Sequence, residues 1–206
     1  TGNVLIDKKK DVEAYPASIT KVLTAILLVE NVEEDSWIVA STESIKEEPS
    51  NSQFLLKEGE KIKRDDALRL IMMISSNDVS VAIAEHISGD VKSFSELMND
   101  RAVELGAKNT NFVNPNGLPN ENHRTTAYDM AMIGRILIDY PEILAAMKEE
   151  KFILKTDQRE LEIKRTNKIF ENNPSAIGGK TGWTKSSGNT LLEVIEKDGK
   201  QIVAVI

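Results

Sequence analysis

Residues 15–30, YPASITKVLTAILLVE, place the tightest constraint on how this chain folds. Ile19, Val22, Leu23, Ala25, Ile26, Leu27, Leu28 and Val29 cover more than one face of a helix over residues 17–31. A helix that is apolar nearly all round must be central, because only neighbours on every side remove that surface from water. Pro16 suits its first turn, where the missing N–H would have had no partner. Yet Ser18 and Lys21 stand at the front of this helix, three residues apart and so on one face. An ammonium there reads in two ways. It is a solvated helix start, or it is a base beside a nucleophile.

The rest of the chain can supply the wrapping. The 206 residues are 40% hydrophobic and 29% charged, the balance of a globular chain. Residues 65–89, DDALRLIMMISSNDVSVAIAEHISG, predict two helices in series. Asp65 or Asp66 is expected to cap the first, SSND to break it, and Gly89 to close the second. SFSELMNDRAVELG predicts an amphipathic helix with Phe94, Leu97, Met98, Ala102 and Leu105 inward and Gly106 as its stop. After a turn-rich loop, Thr126 and Asp129 form a capping box for AYDMAMIGRILIDY, and Pro141 starts a further short helix. Strand-like runs lie at 4–6, at 37–40 and 54–56, and through the last third in KFILKT, LEIKRTNK, NTLLEVIEKDG and KQIVAVI. EKDGK reads as a hairpin turn. The expected fold class is therefore α+β, with an antiparallel sheet built from both chain ends, packed against helices, and a helical region at about 65–150. Residues 1–206 read as one domain. The chain opens on Thr1 rather than Met and stops at Ile206 inside strand-like sequence, so it is expected to be a trimmed piece of a longer protein.

Composition removes several function classes. The net charge of -7, with no lysine- and arginine-rich block, argues against nucleic acid as a partner. With no cysteine there is no disulfide framework, thiolate nucleophile or thiolate-bound zinc. The two histidines, His86 and His123, are far apart, so neither a metal nor a cofactor is expected. No apolar run is long enough to span a membrane.

What remains is chemistry carried by hydroxyls, amides and lysines. A serine hydroxyl attacks only when a neighbour takes its proton, and desolvation or a nearby cation can make a lysine that neighbour. The start of a helix adds unpaired N–H groups for an oxyanion. SxxK is a short pattern, however, and has little specificity alone. A second feature is Ser75-Ser76-Asn77, between two apolar helices, where polar side chains are costly to bury without partners. It is either an ordinary turn or a polar turn projecting Ser75 and Asn77 into a cleft. The same SxN spacing recurs at Ser187–Asn189, and only position separates the two. The third feature is GGKTGWT, residues 178–184, where glycines flank Lys180 and Thr181. Glycine beside a strand marks a turn or the close approach of a ligand to the backbone. In the second case Lys180 and Thr181 offer a positive charge and a hydroxyl to an anion.

SITK, SSN and KTG, in this order, resemble the signature of penicillin-binding proteins and serine β-lactamases. YPASITKVLTAILLVE, ISSNDVSVAIAEHISG, NPNGLPNENHRTTAYDMAMIGR and IGGKTGWTKSSGNTLL are similar to the low-molecular-mass D-alanyl-D-alanine carboxypeptidases over nearly the whole chain. The resemblance implies Ser18 as acylated nucleophile and Lys21 as its base. It implies Ser75 as proton relay to the leaving amine, and Asn77 as the holder of Lys21 and the substrate amide. Lys180 and Thr181, with Gly182 and Trp183 beside them, would bind the terminal carboxylate, and the N–H groups of Ser18 and Trp183 would form the oxyanion hole. The implied partners are a peptidoglycan stem peptide ending in D-Ala-D-Ala and, as covalent inhibitors, β-lactams. The implied location is the outer face of the bacterial cytoplasmic membrane, with membrane contact only through segments absent here. The glutamate pattern ExxLN of class A lactamases is missing. The rival readings are a β-lactamase and an inert muropeptide-binding module.

Overall fold

The computed structural model describes residues 2–206. A 3-10 turn, Ala17–Thr20, runs into α1, Lys21–Asn31, and every residue from Lys21 to Leu28 is buried. The further helices are α2 (Arg64–Met73), α3 (Asn77–Ser88), α4 (Val91–Glu104), α5 (Ala127–Arg135), α6 (Pro141–Lys148) and α7 (Ile169–Asn172). Helices α2, α3, α4 and α5 all pack on α1, which is how a helix apolar on every side satisfies itself. Side chains from α1 through α6 join Leu192 and Val194 of the sheet in one core.

The strands form three antiparallel groups: β1 (Trp37–Val39) with β2 (Lys61–Lys63), β3 (Lys151–Lys155) with β4 (Glu160–Lys164), and a sheet of β5 (Ala176–Thr184), β6 (Gly188–Lys197) and β7 (Lys200–Val205) in that order. Asp198 and Gly199, both at positive φ, make the two-residue turn from β6 to β7. The sheet packs on the helices the face that carries Gly178, Leu192, Val194, Val203 and Val205. A Cβ on Gly134 of α5 would meet Leu192 and Val203, and one on Gly178 would meet Leu144 of α6.

The α+β class stands, but the sheet is not built from both chain ends as strands. Its three strands all come from the C-terminal third. Residues 4–6 form no strand and pair with none, and Leu5 and Ile6 are 71% and 89% exposed. From there the chain turns at Asp7, whose Oδ1 accepts the Lys10 N–H, and makes a single bridge, Ala14 to Thr125. The N-terminal part meets the sheet as the 3-10 turn packed on β5 and β6. Residues 54–56 are also not a strand. Phe54 and Leu56 are buried, and Asp78 Oδ2 accepts the Leu56 N–H at 2.8 Å. Neither Asp65 nor Asp66 caps α2. Both lie in its first turn, where a carboxylate favours the helix dipole, and the N-cap position is Lys63. The other caps are as read: Thr126 Oγ1 accepts the Asp129 N–H at 3.0 Å, and Gly89 closes α3 at φ +84°.

Candidate active site

Three elements converge on the front of α1. The 3-10 turn carries Ser18, the break between α2 and α3 carries Ser75 and Asn77, and the free edge of β5 carries Lys180 to Trp183. Lys21 is fully buried, and its Nζ stands 3.1 Å from Ser18 Oγ. It donates to Asn77 Oδ1 and to the backbone O of Asn116, each at 2.7 Å. On the opposite wall Lys180, 2% exposed, donates to Ser75 Oγ at 3.0 Å and to the Thr181 carbonyl at 2.7 Å. Ser75 makes no hydrogen bond to Lys21. Its backbone sits at φ +64°, and its hydroxyl belongs to Lys180. The third partner of Lys21 is instead a carbonyl, Asn116 O, a group with no sequence signature.

Both ammonium groups are pressed toward neutrality. Burial lowers the Lys21 pKa well below 10.5, and the charge of Lys180 lowers it further, while Asp78 and Glu47 pull the other way. Burial alone takes Lys180 down to about 7. Asp78, itself buried, has its carboxyl raised by desolvation.

The ladder of the sheet decides what β5 offers. Leu191 exchanges both backbone hydrogen bonds with Ile206, at 2.9 and 3.0 Å, so its peptide groups face β7. Thr181 stands opposite Leu191, and Trp183 opposite Asn189. By antiparallel alternation the N–H and C=O of Thr181 and Trp183 face away from β6, into the cleft. The bond from Lys180 to the Thr181 carbonyl agrees with that orientation. Gly182 is needed here: a Cβ would lie 2.5 Å from Thr190 Oγ1 and 2.7 Å from the Ser18 backbone N. The bare Cα therefore lets β5 approach the nucleophile turn, and the N–H groups of Ser18 and Trp183 stand at the same edge. The Trp183 ring is 67% exposed beside it.

The second SxN stretch does something else. Ser187 Oγ accepts the Thr184 N–H at 3.0 Å and ties the turn between β5 and β6. Sequence reasoning missed the groups that frame the site from loops. Asn77 Nδ2 donates to Glu48 O at 2.8 Å, Asn116 Nδ2 reaches Glu47 Oε2, and Ser50 Oγ reaches the Ser75 carbonyl. It also assigned nothing to Thr20 or His123, which lie behind the nucleophile turn. Among the described residues no cluster of His, Cys, Asp and Glu is arranged to hold a metal ion, and no helix is long and apolar enough to cross a membrane.

This architecture is shared with known proteins. A family model described as D-alanyl-D-alanine carboxypeptidase matches residues 1–206. The carboxypeptidase DacF of Bacillus subtilis is 33% identical over all of this chain and 54% of its own length. DacA of Haemophilus influenzae is 31% identical, again over 100% of this chain and 54% of the relative. The chain thus spans about half the length of the curated relatives it matches. Among solved structures, a D-alanyl-D-alanine carboxypeptidase from Mycobacterium tuberculosis superposes with a TM-score of 0.92 at 26% identity, covering 100% of this chain and 78% of that one. Penicillin binding protein 5 from Haemophilus influenzae gives 0.87 at 29% identity, covering 99% and 61%.

Proposed function

The chain belongs to the D-alanyl-D-alanine carboxypeptidase family, and on that premise we propose that it is a serine D,D-carboxypeptidase whose catalytic domain comprises residues 1–206. Its substrate is a peptidoglycan stem peptide ending in D-Ala-D-Ala, its acyl-enzyme forms on Ser18, and β-lactams acylate the same serine. The observation that carries this reading is the fully buried Lys21 amine 3.1 Å from Ser18 Oγ, pressed toward its neutral form.

The geometry supports the following steps. Neutral Lys21 takes the Ser18 proton as Oγ attacks the scissile carbonyl. The developing oxyanion accepts from the N–H groups of Ser18 and Trp183. The substrate carboxylate lies against Thr181 and Lys180, whose ammonium supplies the opposite charge. Ser75, held by Lys180, gives its hydroxyl proton to the departing D-Ala amine and is reprotonated by the proton that Lys21 took from Ser18, which leaves Lys21 neutral for the next step. Asn77 holds Lys21 through Oδ1, and of its two Nδ2 protons one goes to Glu48 O and the other to the substrate amide. Water then repeats the sequence on the acyl-enzyme, with Lys21 again as base. A cell-wall substrate supports a working site outside the cytoplasmic membrane.

A fluorescent penicillin followed over time on a denaturing gel tests the proposal. A lasting label that Ser18→Ala abolishes supports it. Rapid loss of label identifies a β-lactamase, and a folded wild-type chain that takes no label identifies a non-catalytic binding module. Normal labelling of Ser18→Ala would reject Ser18 as the nucleophile.

A further inference from the structure

The back of the nucleophile turn is braced by a buried histidine that the reaction itself does not use. His123 is 1% exposed. Its Nδ1 accepts the Val113 N–H at 3.1 Å, so the ring proton sits on Nε2, which donates to Thr20 Oγ1 at 2.9 Å. One ring therefore joins two pieces of chain. Thr20 ends the 3-10 turn that carries Ser18, and Val113 opens the strap of residues 113–118.

That strap also meets the turn and the first residues of α1 at three further points. Thr24 Oγ1 donates to Pro115 O at 2.6 Å, and Lys21 Nζ to Asn116 O at 2.7 Å. Gly117, at φ +84°, lies so close beneath the turn that a Cβ would stand 1.9 Å from the Ala17 carbonyl O. The strap is stiffened internally, with Asn114 Oδ1 accepting the Gly117 N–H at 2.7 Å and Asn116 Oδ1 the Leu118 N–H at 3.0 Å. From the other side Thr190 Oγ1 donates to Pro16 O at 2.9 Å. Between these clamps Ala17 is held at φ +50°, a conformation a non-glycine residue keeps only when its surroundings impose it.

We propose that His123 is a positioning residue for acyl transfer: by tying Thr20 to the strap it sets the heights of Ser18 and of the Asn116 carbonyl that receives Lys21. Of the side-chain ties between turn and strap, it is one that leaves the reacting lysine out. Burial and the nearby Lys21 charge take its pKa down to about 4, so the ring is neutral in the tautomer the two bonds require. A displaced turn would leave Ser18 and Lys21 present but misaligned, which slows the chemical step and leaves ground-state binding alone.

The inference rests on the acyl-enzyme reading, and its test separates the two. Acylation by a fluorescent penicillin is followed across concentrations, giving the acylation rate constant and the pre-covalent dissociation constant separately, well below the melting temperature of each variant. His123→Phe keeps an aromatic ring and removes both bonds, and Thr20→Val removes the acceptor from the other side. Each is expected to slow acylation by roughly 10²-fold, the scale of a displacement of about 1 Å, with the dissociation constant within about 2-fold of wild type, well under the tenfold that 1.4 kcal/mol represents. The double variant is expected to be no slower than either single one, because both cut one link. Thr20→Ser, which keeps the hydroxyl, is expected to acylate at nearly the wild-type rate. If His123→Phe melts earlier but acylates normally, or if the two effects multiply in the double variant, the positioning role is wrong. If His123→Phe fails to fold, the Thr20 pair decides: equal rates for Val and Ser overturn the inference. A wild-type chain that takes no label overturns the acyl-enzyme reading and the inference with it, whereas a labelled wild type with unslowed variants overturns the inference alone.

Discussion

Lys21 and Lys180 are the same residue type, both buried, on facing walls of one cleft, and they are built for opposite tasks. Lys21 has three acceptors, one of them the nucleophile, and burial, with a second cation nearby, lowers its pKa well below 10.5. Lys180 has two acceptors, Ser75 Oγ and the Thr181 carbonyl, and only burial lowers its pKa. The difference teaches how context divides labour between identical side chains. Where the amine is fully enclosed beside the Ser18 hydroxyl and its pKa falls well below 10.5, the lysine is a base. Where an open strand edge faces it, the lysine waits for an anion, whose arrival would restore its charge.

The sharpest way to break this comparison is to remove each amine in turn. Lys21→Met is expected to slow acylation by about 10³–10⁴-fold, the upper part of the range for a general base, with little change in pre-covalent binding. An equal loss from Lys180→Met, measured with an uncharged acyl donor, would erase the distinction. Lys180→Ala is expected to lower kcat/KM for a substrate with a free terminal carboxylate by about 10²-fold, the scale of an unpaired interfacial charge. Its amide should suffer far less, and equal losses would contradict the anion-hook role.

The pH profile sharpens the contrast. Lys180 holds its proton below about 7 and loses it above. So kcat/KM for carboxylate substrates is expected to fall as pH rises through about 7, while the profile for amides lacks that alkaline limb. A shared limb would show that another group titrates there.

The smallest effect is on stability. Between a folded pKa of about 7 and the ordinary value of 10.5, the unfolded chain binds more protons at Lys180 than the folded one. Wild-type stability therefore rises with pH across that window and is lowest below it, where the buried amine is charged. Lys180→Met is expected to raise the melting temperature at pH 6, by about 1–4 kcal/mol in stability, as when other buried ions are replaced by apolar side chains. The gap to wild type should close toward pH 10. Lys21→Met is expected to gain less, because the acceptors it strands, Asn77 Oδ1 and Asn116 O, are buried, whereas those of Lys180 are only part-buried and open to water. Thermal melts across pH check both.

Much of the fold was legible where periodicity was strong. The central helix, the pair of helices flanking SSND, the amphipathic α4 and the last hairpin all lie where the pattern of apolar residues put them. Residues 4–6 and 54–56 misled because three apolar residues carry no information about whether an edge is available to pair with. Asp65 and Asp66 misled because a carboxylate favours either the cap or the first turn of a helix, and local sequence does not choose. In the site, Ser18 and Lys21 could be placed on one face from their spacing alone. The two SxN stretches could not be told apart by pattern, only by what surrounds them.

The local rules were enough for the central helix, the lysine at its front and the glycines that let β5 come close, because each is a matter of spacing, volume or backbone freedom within a few residues. The partners of those lysines were a different matter. Ser75 went to Lys180 rather than to Lys21, Asn116 contributed its backbone instead of its side chain, and His123 joined Thr20 across 103 residues. A carbonyl looks the same in every residue, and a hydroxyl accepts from whichever donor folding brings within 3 Å. Those pairings exist only once separate stretches of chain have been packed around α1.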